Sequence, residues 1–196
     1  MEYSKWFDTY FKKLVSFGVP EESVNLLKEK YGESLMSASI ATKADSGCAY
    51  KGSLIETVVT KVTKYAVLIN DQLDERVRVN KNVLCKICFL SLIGMADRVA
   101  PQTDEWRKKN LGECYTYKEG NAAIPTTLHS VAMCSECGIS FTPEEMEAMT
   151  IIDRKEDDKQ AKYYSSMLSQ IVKSAYELTF TECRELHKEI GGVSNN

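Results

Sequence analysis

The sequence predicts an all-α fold, a helical bundle with a helical hairpin at its N-terminus and one small β-hairpin inserted. Three observations lead to it. Residues 81–101, KNVLCKICFLSLIGMADRVAP, are apolar on every side from Val83 to Met95, broken only by Lys86, Ser91 and Gly94. A helix apolar all round is a buried one, around which other elements pack. Several other segments carry apolar residues three and four apart, the spacing of an amphipathic helix, while strand-type text is confined to a short stretch around Tyr115.

The elements follow in order. Residues 2–17 place Trp6, Phe7, Tyr10, Phe11, Leu14 and Phe17 on one stripe, and Gly18 ends it. Pro20, Glu21 and Glu22 open a second helix, expected to run to about Tyr31 and to close at Gly32. These two form the hairpin, residues 1–36. Residues 37–52 are small and polar and read as a long loop. A strong helix follows over residues 53–73, with Leu54, Val58, Val62, Tyr65, Ile69 and Leu73 on one face, Ser53 as N-cap and Glu56 completing a capping box.

The central helix comes next, capped by Asn80 or Asn82 and stopped by Pro101; it is too short and too interrupted to span a bilayer. Residues 106–110 and 113–118 flank Leu111-Gly112 and read as the β-hairpin. Residues 127–137 form a short helix closed by Gly138. Thr142-Pro143-Glu144-Glu145 is a helix start with cap, N1 proline and first-turn acids, and this helix should reach about Ile152. Residues 153–159 are a solvated charged loop. Residues 160–188 give one long helix or two in succession, with Tyr164, Met167, Leu168, Ile171, Ala175, Leu178 and Cys183 inward. The body thus covers residues 37–190, and residues 191–196 read as a disordered tail.

Composition bounds the function. A 43% hydrophobic share in 196 residues suffices for a core of full size, and a net charge of −3 argues against non-specific DNA or RNA binding, which needs a basic footprint. The first residues carry charge throughout and do not read as a secretory signal, so the expected setting is cytoplasmic, with no membrane partner. Seven cysteines, an odd number, fit reduced thiols better than a disulfide framework.

Two cysteine pairs have metal-ligand spacing, Cys85/Cys88 and Cys134/Cys137, and four such thiolates can hold zinc tetrahedrally. Against that set stand the long gap between the pairs and the helical, apolar setting of Cys85 and Cys88, in which a thiol behaves as a small hydrophobe. His129 and His187 are too few for a histidine-based cluster and read as structural. Neither a glycine-rich phosphate loop nor a Gly-x-Ser-x-Gly elbow is present. The acids Asp153, Glu156, Asp157 and Asp158 read as a wet loop.

Several segments together resemble the HD-domain phosphohydrolases, in particular small versions from bacteria and their phages. Ala41-Thr-Lys43 and Ala49-Tyr50-Lys51-Gly52-Ser-Leu54-Ile-Glu56 resemble the loop and start of the family's first ligand helix. Cys88-Phe-Leu-Ser91-Leu92-Ile93-Gly94-Met95-Ala96 resembles its leucine-rich His-Asp-x-Gly-Lys segment. Ser130 to Gly138, Ile139, Thr142-Pro-Glu-Glu and Ala148 to Asp153 resemble the following helix pair, and Asp158-Lys159-Gln160-Ala161 the start of the last helix. The resemblance covers residues 38–180 and implies an HD-like bundle.

The departures fall on the ligands. Thr57 stands where the family's first histidine would be, Ser91 and Leu92 replace the His-Asp pair, Met95 replaces the lysine and Ile152 a later histidine; Asp153 survives beside it. Imidazole and carboxylate bind divalent metals and activate water, which threonine, leucine and isoleucine do not. The expectation is therefore a pseudoenzyme without cofactor or catalytic residues. Its residual pocket would involve Lys43, Thr57, Ser91, Arg98, Arg107, Lys108 and Asp153, the cations (Lys109 with them) meeting phosphate or simply lying solvated at the surface.

By analogy with the family, the expected ligand is a small nucleotide-like molecule, with a protein partner or a second copy of the chain as the other candidates. Two rival readings stand beside this one: an active phosphohydrolase using Asp153 with Asp71, Asp97 or His129, and a structural subunit assembling through the N-terminal hairpin. Leu92 should be buried, and Thr57, Ser91, Leu92 and Ile152 should converge.

Overall fold

The structure is a computed structural model describing residues 3–120, 122–154 and 165–192. The expected charged loop and the start of the last helix therefore lie largely outside the described residues, as do residues 193–196 of the expected tail. The fold is all-α with one small antiparallel β-hairpin. Among the described residues no helix is long and apolar enough to cross a membrane.

Helix α1 (Tyr3–Ser16) lays its aromatic stripe on the core. The Tyr10 ring stacks on Phe89 at 4.9 Å, and Phe17 meets Phe89 edge-on at 5.1 Å. Helix α2 (Glu21–Ser37) runs through Gly32 instead of stopping there. Gly32 is buried against α1, where a Cβ would sit 3.3 Å from the Phe7 ring. The glycine serves close helix packing and does not act as a C-cap.

The loop after α2 holds a single 3-10 turn, Ala44–Ser46. Ser53 is the first residue of α3 (Ser53–Thr57) and Gly52 takes the N-cap position, so the expected serine capping box is not formed. The Ser53 hydroxyl instead accepts from the Ile40 N–H at 3.0 Å and lies 3.2 Å from the Ser39 hydroxyl, pinning the loop onto the helix. A π-helical stretch, Val58–Val62, joins α3 to α4 (Thr63–Gln72), and the Thr63 hydroxyl closes it by donating to the Val58 carbonyl at 2.7 Å.

Asn80 caps α5 (Lys81–Leu90), its side chain accepting from Asn82 and Val83 N–H groups. The central helix is not continuous, however. It breaks at residues 91–93 and restarts as α6 (Gly94–Arg98). At the break the Ile93 N–H turns to the Leu90 carbonyl, and the Gly94 N–H donates to the Ser130 hydroxyl at 2.8 Å. A Cβ on Gly94 would lie 2.6 Å from the Thr126 carbonyl oxygen, so only glycine lets α8 (Thr126–Glu136) cross this close.

Two fully buried phenols serve the carbonyls at the end of α5. Tyr10 donates to Phe89 O and Tyr176 to Cys88 O, each at 2.7 Å. Burial holds both phenols well above their ordinary pKa. Tyr176→Phe keeps the ring but orphans a buried carbonyl, and should lower the unfolding free energy by about 1–3 kcal/mol in urea titrations. An unchanged midpoint would mean that water replaces the phenol.

The β-hairpin differs from expectation in one strand. Residues Tyr115–Tyr117 form β2, but β2 pairs with β1 (Val99–Pro101), in the register Val99 to Tyr117. Residues 106–110 belong instead to α7 (Glu105–Leu111), capped by Asp104, which accepts from the Trp106 and Arg107 N–H groups.

Helix α9 (Pro143–Thr150) carries the expected capping box between Thr142 and Glu145, and a 3-10 turn, Ile151–Asp153, follows it. Helix α10 (Met167–Gly192) closes the bundle and extends into the expected tail. Its buried stripe is Leu168, Ile171, Val172, Ala175, Tyr176, Thr179 and Cys183, whereas Met167 and Leu178, expected inward, are exposed. Tyr164 lies outside the described residues.

Candidate functional site

The break in the central helix forms the floor of a cleft of about 390 Å³. Leu92 comes from the break itself and Met95 from the first turn of α6, and Leu92 is 6% exposed. Ile152 and Asp153 come from the turn after α9, and Phe180 from α10. The loop before α3 supplies the opposite wall through Ile40, Lys43, Asp45 and Ser46.

That wall is held by backbone bonds. The Thr42 carbonyl accepts from the Cys114 and Tyr115 N–H groups at 2.8 and 3.0 Å, and the Ala44 N–H donates to Gly112 O at 2.8 Å. Lys43 and Glu113 form an isolated antiparallel bridge just ahead of β2. A second hollow of about 380 Å³ shares Tyr117, Thr126 and Asp153 with the cleft and adds Arg98, Ile124 and Pro125.

The polar groups fall into two sets. Some are committed to the fold: Asp153 accepts from the Thr127 N–H at 2.7 Å, placing a carboxylate on the N-terminal turn of α8, where the helix dipole favours it. Arg98 donates to the Ala122 and Ile124 carbonyls and braces the loop before α8. Lys43 differs, since among the described residues it enters no ion pair. Among the described residues that line the cleft it is the one cation.

The other residues marked from sequence lie elsewhere. Arg107 faces Asp104 and Glu113, and Lys108 faces Glu105, all around the exposed α7. Thr57 is buried and lines a separate hollow of about 210 Å³ with Lys61, Cys183 and His187. The Ser91 hydroxyl is spent on its own helix, donating to Ile87 O at 2.7 Å, with the Met149 sulfur 3.7 Å away. Leu92, Ile152, Asp153 and Lys43 are thus brought to one cleft, while Thr57 and Ser91 do not line it.

Among the described residues no three histidine, cysteine or acidic side chains are grouped to hold an ion. Cys85, Cys88, Cys134 and Cys137 are all buried free thiols, and burial pushes each pKa above the ordinary value, which opposes the thiolate that zinc requires. Asp97 pairs with His129 at 3.0 Å and Asp71 with Lys81 at 2.7 Å.

Sequence reading did not mark Asp45, Ser46, Tyr117, Thr126 or Phe180 as lining residues. Asp45 and Ser46 carried a faint signal, lying beside Lys43 in a long polar loop; Phe180 carried none, because only the packing of α10 brings it there. No protein-family profile, curated protein or solved structure matches the chain.

Proposed function

We propose that this chain is a non-catalytic, HD-like binding module whose cleft takes a small nucleotide-like ligand, an apolar body resting on the floor and a phosphate meeting Lys43. The observation that carries the reading is the make-up of the cleft: hydrocarbon from Leu92, Met95 and Ile152 beneath an ammonium that forms no ion pair among the described residues. Small-ligand sites combine such apolar walls with a few convergent polar groups. The side chains at the positions of the family's ligands here are Thr57, Ser91, Leu92 and Ile152, which offer no imidazole or carboxylate to activate water. An intracellular setting belongs to the same reading.

Calorimetric titration with a nucleoside monophosphate and with its parent nucleoside tests it. The phosphate form should bind more tightly, and Lys43→Ala should weaken it by about ten- to a hundred-fold, the worth of one charge-assisted hydrogen bond. Equal affinity for both compounds, or no effect of Lys43→Ala, would reject Lys43 as the phosphate contact.

A further inference from the structure

The loop that walls the cleft ends against α10. Gly47 lies so close there that a Cβ would meet the Cys183 carbonyl oxygen at 2.0 Å. This approach sets the next residue, Cys48, beside Cys183. Both thiols are free and buried, at 1% and 6% exposure. Two buried thiols set side by side by a backbone approach this close are placed for a disulfide, which requires that the two Cα atoms already lie near one another.

The two sulfurs have different surroundings. Cys183 lines the hollow that also holds Lys61 and His187, whereas Cys48 does not line it. The Lys61 ammonium, paired with Glu182 at 2.8 Å, also interacts with Cys183. Burial pushes the Cys48 thiol up to about 11. Cys183 is therefore the sulfur that a small reagent reaches first, and Cys48 the one that resolves the adduct.

We infer that Cys48 and Cys183 form a redox clasp, closing as an intramolecular disulfide by exchange with a low-molecular-weight disulfide of the glutathione type. Cys183 gives up its proton and attacks one sulfur of the small disulfide, whose S–S bond breaks to release one small thiol bearing that proton. Cys48 then attacks the Cys183 sulfur of the mixed disulfide, and its proton leaves on the second small thiol. Two protein thiols are oxidised, one small disulfide is reduced to two thiols, and atoms and electrons balance. The clasp ties the Lys43 loop to the helix that carries Phe180, so closure would fix two walls of the cleft; the inference stands whether or not that cleft holds a ligand.

The test equilibrates the full chain with oxidised glutathione, alkylates the remaining thiols and maps the peptides by mass spectrometry. The expected product joins Cys48 to Cys183 with the loss of two hydrogens, and the oxidised chain should melt higher than the reduced one. Cys48→Ser, with Cys48→Ala in parallel, should trap glutathione on Cys183 and abolish the rise in Tm. Recovery of Cys48 and Cys183 both alkylated under conditions that modify the partly exposed Cys114 would overturn the clasp. So would a disulfide joining any other pair.

Discussion

Glu145→Leu is expected to destabilise the protein by about 3–5 kcal/mol, the cost of removing one partner from a buried ion pair. Lys86 is the single charge inside the apolar run of α5, and its ammonium is bonded to Glu145, with side-chain exposures of 15% and 9%. The Phe141 ring lies 5.6 Å from the same ammonium. Glu145 has a second task, since its other oxygen accepts from the Thr142 N–H at 3.0 Å and completes the capping box of α9. Leucine would strand the lysine without a partner and open the cap at once. The double variant Lys86→Met/Glu145→Leu should recover most of the loss, because a buried pair replaced by hydrocarbon is often neutral. Urea unfolding of the single and double variants measures both quantities. A single variant as stable as the parent would show that Lys86 escapes to water.

Gly47→Ala should cost about 2–5 kcal/mol, combining a left-handed backbone with overpacking. Gly47 has φ of +71°, and its Cβ would fall 2.0 Å from the Cys183 carbonyl oxygen and 2.7 Å from the carbonyl carbon. These are backbone atoms of α10 and cannot swing aside as a flexible side chain can, so the loop must lift. Because the same loop presents Lys43, Asp45 and Ser46 to the cleft, the variant should lose ligand affinity together with thermal stability. A melting temperature within a degree or so of the parent would mean that the loop does not lie on α10 as described.

Much of the fold was legible where local chemistry decides it. The aromatic stripe of α1 and the Thr142-Pro143 start each carry their reason in neighbouring residues and form as read, and of the two asparagines read as caps for α5 it is Asn80 that serves. The misses are positions where tertiary contact overrides the local text. Nothing within residues 81–101 announces a break at residues 91–93; the Ser130 hydroxyl and the Tyr10 and Tyr176 phenols, all from other helices, supply the bonds there. Gly32 reads as a stop until the Phe7 ring above it is known. The helix at residues 105–111 is a different failure: its cap, Asp104, stands directly before it, yet residues 106–110 read as a strand.

The cleft was half legible. Leu92, Ile152, Asp153 and Lys43 line it, whereas Thr57 and Ser91, which were expected to meet Leu92 and Ile152, do not. Side-chain direction was not legible. Ser91 and Leu92 are adjacent, yet one turns back to Ile87 and the other lines the cleft. Arg98, Arg107 and Lys108 were read as ligand cations from charge alone, whereas the nearby carbonyls and acids that engage them come from loop geometry that composition does not encode.

The central claim is binding without turnover, and a substrate-depletion assay tests it most directly. The purified chain is incubated with a nucleoside monophosphate and, separately, a generic phosphodiester, each with added magnesium, manganese, zinc or iron(II), and product is followed by chromatography. The account predicts that the monophosphate is bound in a Lys43-dependent way and that both compounds are recovered intact at the rate of the protein-free control. Metal-dependent hydrolysis above that control, abolished by Asp153→Asn, would contradict it.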